Sequence, residues 1–276
     1  MRFKWLGVVV AAGSTAWAST DLVVTATGIQ TGQIVRVDST AVVLRMPVGE
    51  ISIPRAEIVE VRVPQPAEVE TGINALGNRQ FREAINALQP IVERYGGLEI
   101  DWVEEAMLRL GEAQVGARAF ADARRTLDRF RTAYPNSRFA VTLVPKYARL
   151  AVAQGKCAEA LPMVSKQIEE LIYRKAITME EELAVAESLI VWADCQREAG
   201  NLDDALDGYL KVVALFNASP PLTSEARMKA AETFETKKNW RRAKGLWRDL
   251  IEAGGDQQVV DTARNRLAAL EKAHPE

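Results

Sequence analysis

The stretch "FADARRTLDRFRTAYPNS" (Phe120–Ser137) decides the architecture of this 276-residue chain. Phe120, Ala123, Leu127 and Phe130 share one face at helical spacing, and Tyr134-Pro135 stops the helix they mark. The pattern recurs. A large residue three positions before an alanine is found at Phe81/Ala84, Phe120/Ala123, Cys157/Ala160, Leu202/Ala205 and Trp240/Ala243, with intervals of 39, 37, 45 and 38 residues between the alanines. Twelve positions before each alanine stands a second small residue (Gly72, Gly111, Ala148, Ala193, Ala231). Four positions after it stands a larger one (Leu88, Leu127, Val164, Tyr209, Trp247). Small residues on facing helices let two antiparallel backbones approach closely, and the large one fills the next groove. The register predicts five helix pairs.

The ends of the repeat are equally marked. "VPQPAEV" (Val63–Val69) separates it from what precedes. "QQVVDTARNRLAALEKA" (Gln257–Ala273) carries Val260, Ala263, Leu267 and Leu270 on one face and reads as a capping helix. The 45-residue interval holds "IYRKAITMEEELAV" (Ile172–Val185), where Thr178 and Glu181 form a capping box that starts a new helix after an insertion.

Before the repeat, Asp21 to Val63 is strand-like. Gly32–Val37, Ala41–Met46, Glu50–Ile53 and Glu57–Val63 are rich in β-branched residues, and Asp38-Ser39-Thr40 and Pro47-Val48-Gly49 supply turns between them. "TATGIQTGQ" (Thr25–Gln33) has no phosphate-binding glycine pattern and reads as a strand connection. Four or five strands are expected. "GQIVRVDSTAVVLRMPVGEISIPRAEIVEV" resembles SH3-like or Sm-like small barrels. The segment has four Arg and no Lys against five acids, and no aromatic residue, which is unlike an RNA-binding barrel. Its expected use is docking or oligomerisation, the alternative being a structural cap.

At the start, Arg2 and Lys4 precede the apolar run Trp5–Ala12, and Ala16-Trp17-Ala18 is an A-x-A cleavage pattern. The run is too short to span a membrane, so residues 1–18 read as a signal peptide and the mature chain starts at Ser19. No Cys follows the apolar run, which excludes a lipoprotein anchor. Losing Arg2 and Lys4 leaves 33 basic against 37 acidic residues, a balance of −4. That balance argues against nucleic acid and anionic membranes as partners. The expected domains are thus 1–18 leader, 19–65 small β module and 66–276 helical repeat. The expected location is the periplasm, in soluble form.

"MLRLGEAQVGARAFADARRTLDRFRTAYP" resembles the tetratricopeptide repeat, through Leu110-Gly111, Phe120, Ala123, Leu127 and Pro135. The resemblance covers about Pro66 to Gly254. Units near 38 residues joined by "YPNSRFA" are similar to the arrays of periplasmic and outer-membrane assembly proteins, of the Tol–Pal coordinator type. It implies a mostly α protein: a solenoid of about five helix pairs with a capping helix, behind the small all-β module. It implies binding of a protein or peptide on a concave face, a scaffold of the cell envelope rather than an enzyme. The alternative is a structural subunit that assembles with itself through the β module. The oligomeric state stays open.

No catalytic, metal or cofactor site is expected. The only histidine, His274, is in the C-terminal tail, and two Cys cannot close a zinc site alone. Glu104-Glu105 and Glu180-Glu181-Glu182 lie at helix starts, where the dipole favours acids. Trp192, Trp240 and Trp247 read as core, Trp102 as a rim residue, and "KKNWRRAK" (Lys237–Lys244) as a solvated turn. In a stacked array Cys157 and Cys195 fall on one edge. Either they form a disulfide, which an oxidising compartment favours, or they are two separate buried thiols.

The family's peptide-gripping face is lined by the first helix of each pair. By position this gives Glu105, Leu108, Glu112 and Val115, then Thr142, Pro145, Arg149 and Val152. The fourth pair gives Glu187, Ile190, Asp194, Arg197 and Glu198, and the fifth Glu225, Met228, Glu232 and Glu235. Only Arg149 and Arg197 resemble the family's carboxylate clamp, and no Asn joins them. Acids alternating with Leu108, Ile190 and Met228 suggest a basic, partly apolar partner, the alternative being acids that only keep the groove solvated.

Overall fold

The computed structural model describes residues 21–216 and 219–275, which divide into two compact units meeting at Gln65 and Pro66. The leader and its cleavage point lie outside the described residues.

The first unit is a five-stranded antiparallel sheet of β1 (Asp21–Thr25), β2 (Gly28–Val37), β3 (Ala41–Met46), β4 (Gly49–Pro54) and β5 (Ile58–Arg62), in the order β4-β3-β2-β1-β5. β2 is the shared strand. Its first half pairs with β1 and its second with β3, with a register shift between Ile34 and Arg36. The segment read as a connection, Thr25–Gln33, is therefore mostly strand, because Gly32 lets β2 pass close to β3. A Cβ there would meet the Arg45 carbonyl oxygen at 2.5 Å. Val23, Ile34, Val42 and Leu44 form the interior. The Ile34 N–H donates to the buried Asp21 carboxylate at 2.7 Å. At the β2–β3 turn, Asp38 accepts from the Thr40 hydroxyl and from the Thr40 and Ala41 N–H groups, which hold its carboxyl at about 2.

The second unit is the helical repeat: α1 (Ala67–Gly77), α2 (Phe81–Tyr95), α3 (Asp101–Gly116), α4 (Phe120–Ala133), α5 (Leu143–Ala153), α6 (Cys157–Leu171), α7 (Met179–Glu198), α8 (Leu202–Leu215), α9 (Pro220–Thr236), α10 (Trp240–Ala253) and α11 (Gln257–Ala273). Every second helix of a pair begins on the large residue of the register. The turn before it has one form in all five pairs. A left-handed residue (Arg79, Arg118, Gly155, Gly200 or Lys238) sits two positions ahead of the helix. The next N–H reaches back across the turn, as in Gln80 to the Ala75 carbonyl and Asn239 to the Phe234 carbonyl. This is the helix-terminating geometry that recovers orphan carbonyls.

The small–large register is the packing register. Ala84, Ala123, Ala148, Ala160, Ala193, Ala205, Ala231 and Ala243 are all fully buried, as are Leu88, Val164, Tyr209 and Trp247. A Cβ on Gly72 would stand 2.5 Å from the Leu88 side chain, so α1 and α2 touch more closely than alanine allows. The capping box at Thr178 and Glu181 is formed, with Glu181 N–H to Thr178 Oγ1 at 3.2 Å and Thr178 N–H to Glu181 at 2.9 Å. α7, the longest of the described helices at 20 residues, takes up part of the extra length of the fourth unit, and the connection from α6 takes up the rest. Pairs two and three are joined through Ser137, whose hydroxyl donates to the buried Glu104. Glu104 is thus a structural acceptor as well as a helix-start acid.

Trp247 is buried and donates to Glu235 at 2.7 Å. Trp102 is half-buried and packs edge-on against Tyr95, with ring centres 5.4 Å apart. His274 stacks on Trp240 at 3.9 Å, and its carbonyl accepts from buried Lys244. Cys157 at the start of α6 and Cys195 near the end of α7 are disulfide-bonded, with Cα atoms 5.4 Å apart. Protein denatured without reductant should accordingly expose no reactive thiol, and two after reduction. Two thiols before reduction would refute the bond.

Candidate partner-binding surface

First helices of successive pairs lie side by side, α3 on α5, α5 on α7 and α7 on α9. Their polar side chains meet in one ion-paired ladder. Arg109 binds Glu105 at 3.1 Å and Glu112 at 3.2 Å on its own helix. Glu112 then contacts Lys146 of α5, and Lys146 reaches Glu187 of α7 at 2.8 Å. Arg149 holds Glu187 at 2.6 Å and crosses to Glu225 of α9 at 3.0 Å in a two-pronged pair. Lys229 joins Glu225 at 3.1 Å to Asp194 at 2.5 Å, and the Tyr209 hydroxyl donates to Asp194 at 2.6 Å.

The middle of the ladder is withdrawn from water. The Glu187 and Lys146 side chains are only 8% and 10% exposed. Burial works to raise Glu112, but the attraction of Lys146 and Arg109 outweighs it and holds the carboxyl at about 2. Burial likewise opposes the charge on Glu225, and Arg149 and Lys229 together carry it well below the usual carboxylate range. Burial, then the Asp194 charge, raises the Tyr209 phenol, which stays protonated as a donor.

The expected groove residues therefore part company. Glu112, Arg149, Glu187 and Asp194 spend their charge on one another and on neighbours. Arg109, Lys146 and Lys229, which the register reading passed over, neutralise the acids, and the Tyr209 hydroxyl donates to Asp194. The expectation of a basic partner loses its basis here, because these acids already have cations. Leu108 and Ile190 are buried in the helix stack and offer a partner no surface. They lie three residues before the small position of their helices, on the side that meets a neighbouring helix. Glu105 and Val115 keep partial exposure, and Arg197 pairs with Glu232 at 3.1 Å toward the end of α7.

Two open spaces of the helical unit bear on a partner. One, of about 380 Å³, is lined by Val152, Asp194, Arg197 and Glu198, all on the expected face. The other, of about 960 Å³, stands between the end of α1 and the start of α11. Its walls carry Asn74, Asn78, Gln257, Gln258 and Asn265, with Asp256, Asp261, Thr262, Ile73 and Gly77. Sequence reading missed it, because the two walls are the ends of the array and nothing local says how far the stack curves. Among the described residues no three His, Cys, Asp or Glu side chains gather as a metal site. No described helix is long and apolar enough to cross a membrane.

Residues 69–138 match the family model of the tetratricopeptide repeat. The helical arrangement is that of a TPR-like solenoid. Among solved structures, MamA AMB-1 is 16% identical, with 67% of this chain and 95% of that one covered and a TM-score of 0.37. TPR-like repeats of a kinesin light chain from Podosopora anserina are 14% identical, with 75% and 94% covered and a TM-score of 0.42. MamA from residue 41 onward of Desulfovibrio magneticus RS-1 is 12% identical, with 77% and 100% covered and a TM-score of 0.36. No curated protein sequence matches the chain.

Proposed function

We propose that this chain is an exported, non-catalytic scaffold that holds a protein partner through an extended segment on the inner wall of its helical unit. The observation that carries the reading is the amide-lined space between α1 and α11. Asn and Gln side chains each offer both donors and an acceptor. Five of them around one opening suit a peptide main chain, which presents the same groups at regular spacing. The 380 Å³ recess at Val152 and Arg197 is a second contact point on the same unit. The ion ladder fixes α3, α5, α7 and α9 against one another, so the inner wall around the 380 Å³ recess is pre-formed and ordering it costs a partner little. Export rests on the leader pattern of residues 1–18 and is supported by the Cys157–Cys195 bond, since such bonds persist in oxidising compartments. A soluble envelope or periplasmic location, of the kind occupied by the Tol–Pal coordinator, fits both.

Photocrosslinking side chains placed at Asn74, Gln258 and Val152 should capture one and the same protein in the native envelope. The same group at exposed Met163 on α6 should not. Purified partner should then bind about tenfold more weakly to Asn78→Ala/Asn265→Ala, the loss of one or two hydrogen bonds. Capture from Met163 alone, or unchanged binding by the double variant, would place the site elsewhere.

A further inference from the structure

α6 and α7 form a hairpin closed covalently at both ends. The connection from Ile172 to Thr178 joins the end of α6 to the start of α7, and the Cys157–Cys195 bond joins the start of α6 to the end of α7. This connection lies in the interval where the repeat spacing stretches to 45 residues. Its middle, Tyr173-Arg174-Lys175-Ala176, is exposed, Tyr173 by 88%. Arg174 donates its N–H to the Leu171 carbonyl and pairs with Glu181 at 2.6 Å. Among the described residues Lys175 has no ion pair, and neither Lys175 nor Ala176 enters a backbone hydrogen bond. The basic residues of the turns inside pairs differ. Arg79, Arg118, Lys156, Lys237 and Lys238 each donate their own N–H to a carbonyl of the preceding helix. Exposed loop backbone without such bonds is where proteases cut, because it reaches the extended form a protease holds without unfolding its neighbours.

We infer that the Lys175–Ala176 peptide bond is a cleavage site for a protease whose specificity pocket carries a carboxylate, and that the cut chain stays one folded, two-chain molecule. Lys175 supplies the cation such a pocket takes. In the cut, water adds across the amide. Its hydroxyl goes to the Lys175 carbonyl carbon, the C–N bond breaks, and the hydrogen goes to the Ala176 nitrogen. The products are a carboxylate on Lys175 and an ammonium on Ala176, with no redox change. Three features hold the halves together afterwards. Ile172 and Ile177, on either side of the loop, pack on the buried core that contains Leu171, Val185 and Leu189, and so anchor both new ends. The buried Ser188 hydroxyl donates to Gln167 at 2.6 Å between α7 and α6. The Cys157–Cys195 bond links the two products covalently, so their contact is intramolecular, at an effective concentration on the order of millimolar.

The loop shares no residue with the two openings proposed for a partner, so the inference stands or falls independently of that reading. The test is limited digestion of the folded mature chain with trypsin, with the products identified by mass. The first cut should fall after Lys175 and give Ser19–Lys175 and Ala176–Glu276. On a denaturing gel the cut chain should run as one species without reductant and as two with it. Without reductant, in native buffer, it should keep its far-ultraviolet helical signal and sediment as one species at every dilution. Arg174→Gln/Lys175→Gln, a change confined to the exposed loop, should slow the first cut by roughly a hundredfold or more, because it removes the cation the pocket requires. A first cut elsewhere in the helical unit, or an unchanged rate in the double variant, would overturn the inference. So would a cut chain that separates without reductant or loses its helical signal.

Discussion

Glu187→Ala is expected to lower the unfolding free energy by about 3 kcal/mol, the lower part of the roughly 3–5 kcal/mol range for breaking a buried ion pair. Glu187 sits on α7 and accepts from two cations of α5, Lys146 at 2.8 Å and Arg149 at 2.6 Å. Removing it withdraws an acid from two partly desolvated cations at once. The loss stays near the lower end because Lys146 keeps Glu112 and Arg149 keeps Glu225. The position of the break matters as much as its size. Repeat arrays are stabilised by intrinsic unit terms plus nearest-neighbour interfaces, and Glu187 ties the third pair to the fourth. Its loss should therefore broaden or split the urea transition as well as shift it. Glu187→Gln, which keeps the volume and one acceptor, should fall between alanine and wild type. A shift under about 1 kcal/mol with an unchanged slope would mean the ladder behaves as an exposed set of ion pairs.

The two halves of this architecture were unequally legible in the sequence. Helix pairing follows from residues that touch within one unit. Gly72 and Leu88, or Ala231 and Trp247, are 16 residues apart, and the same size pattern repeats five times. The 3.6 period and the repeat period together leave little choice of partner. The ladder, by contrast, joins helices through residues 34 to 76 positions apart, and Glu112 and Glu225 each take cations from two helices. A signal was present. Two positions before the small residue of their first helices stand Arg109, Lys146 and Lys229, against Glu105, Glu187 and Glu225 six positions before it. Read as columns across the repeat, opposite charges alternate. Read along one helix, they suggest only acids in a groove. In the sheet, β1 and the first half of β2 were hard to see, because "TATGIQTG" looks like turn chemistry until the close approach at Gly32 is known. How far the stack curves, and so the facing of α1 and α11, is the sum of many small packing rotations that no local pattern encodes.

The second large effect expected is on acid stability, and its direction follows from the same ladder. A glutamate in an unfolded chain titrates near 4.3. Glu112 is held at about 2 in the folded chain, by Lys146 and Arg109 against the opposing effect of burial. Glu225 is depressed in the same sense by Arg149 and Lys229. A carboxyl depressed on folding contributes stability that is complete above its unfolded pKa and disappears as pH falls through the folded one. Each of these two should contribute on the order of 2–3 kcal/mol at neutral pH. That contribution is retained down to about pH 5 and lost progressively between about 4.5 and 2. Glu104 runs the other way. Burial, with the nearby charges of Asp101 and Glu99, raises its folded pKa despite the Ser137 hydrogen bond. Its charged form costs stability at neutral pH, and protonation relieves that cost as pH falls. Urea midpoints measured from pH 7 to 2.5 should accordingly stay level or rise slightly down to about pH 5, then fall steeply. In Glu112→Gln/Glu225→Gln the neutral-pH midpoint should drop and the acid slope should flatten, because the groups that must bind protons are gone. A wild-type loss that begins near pH 6.5, or an acid slope unchanged in the double variant, would show that other groups govern acid unfolding and that the ladder carboxylates do not hold the stack together.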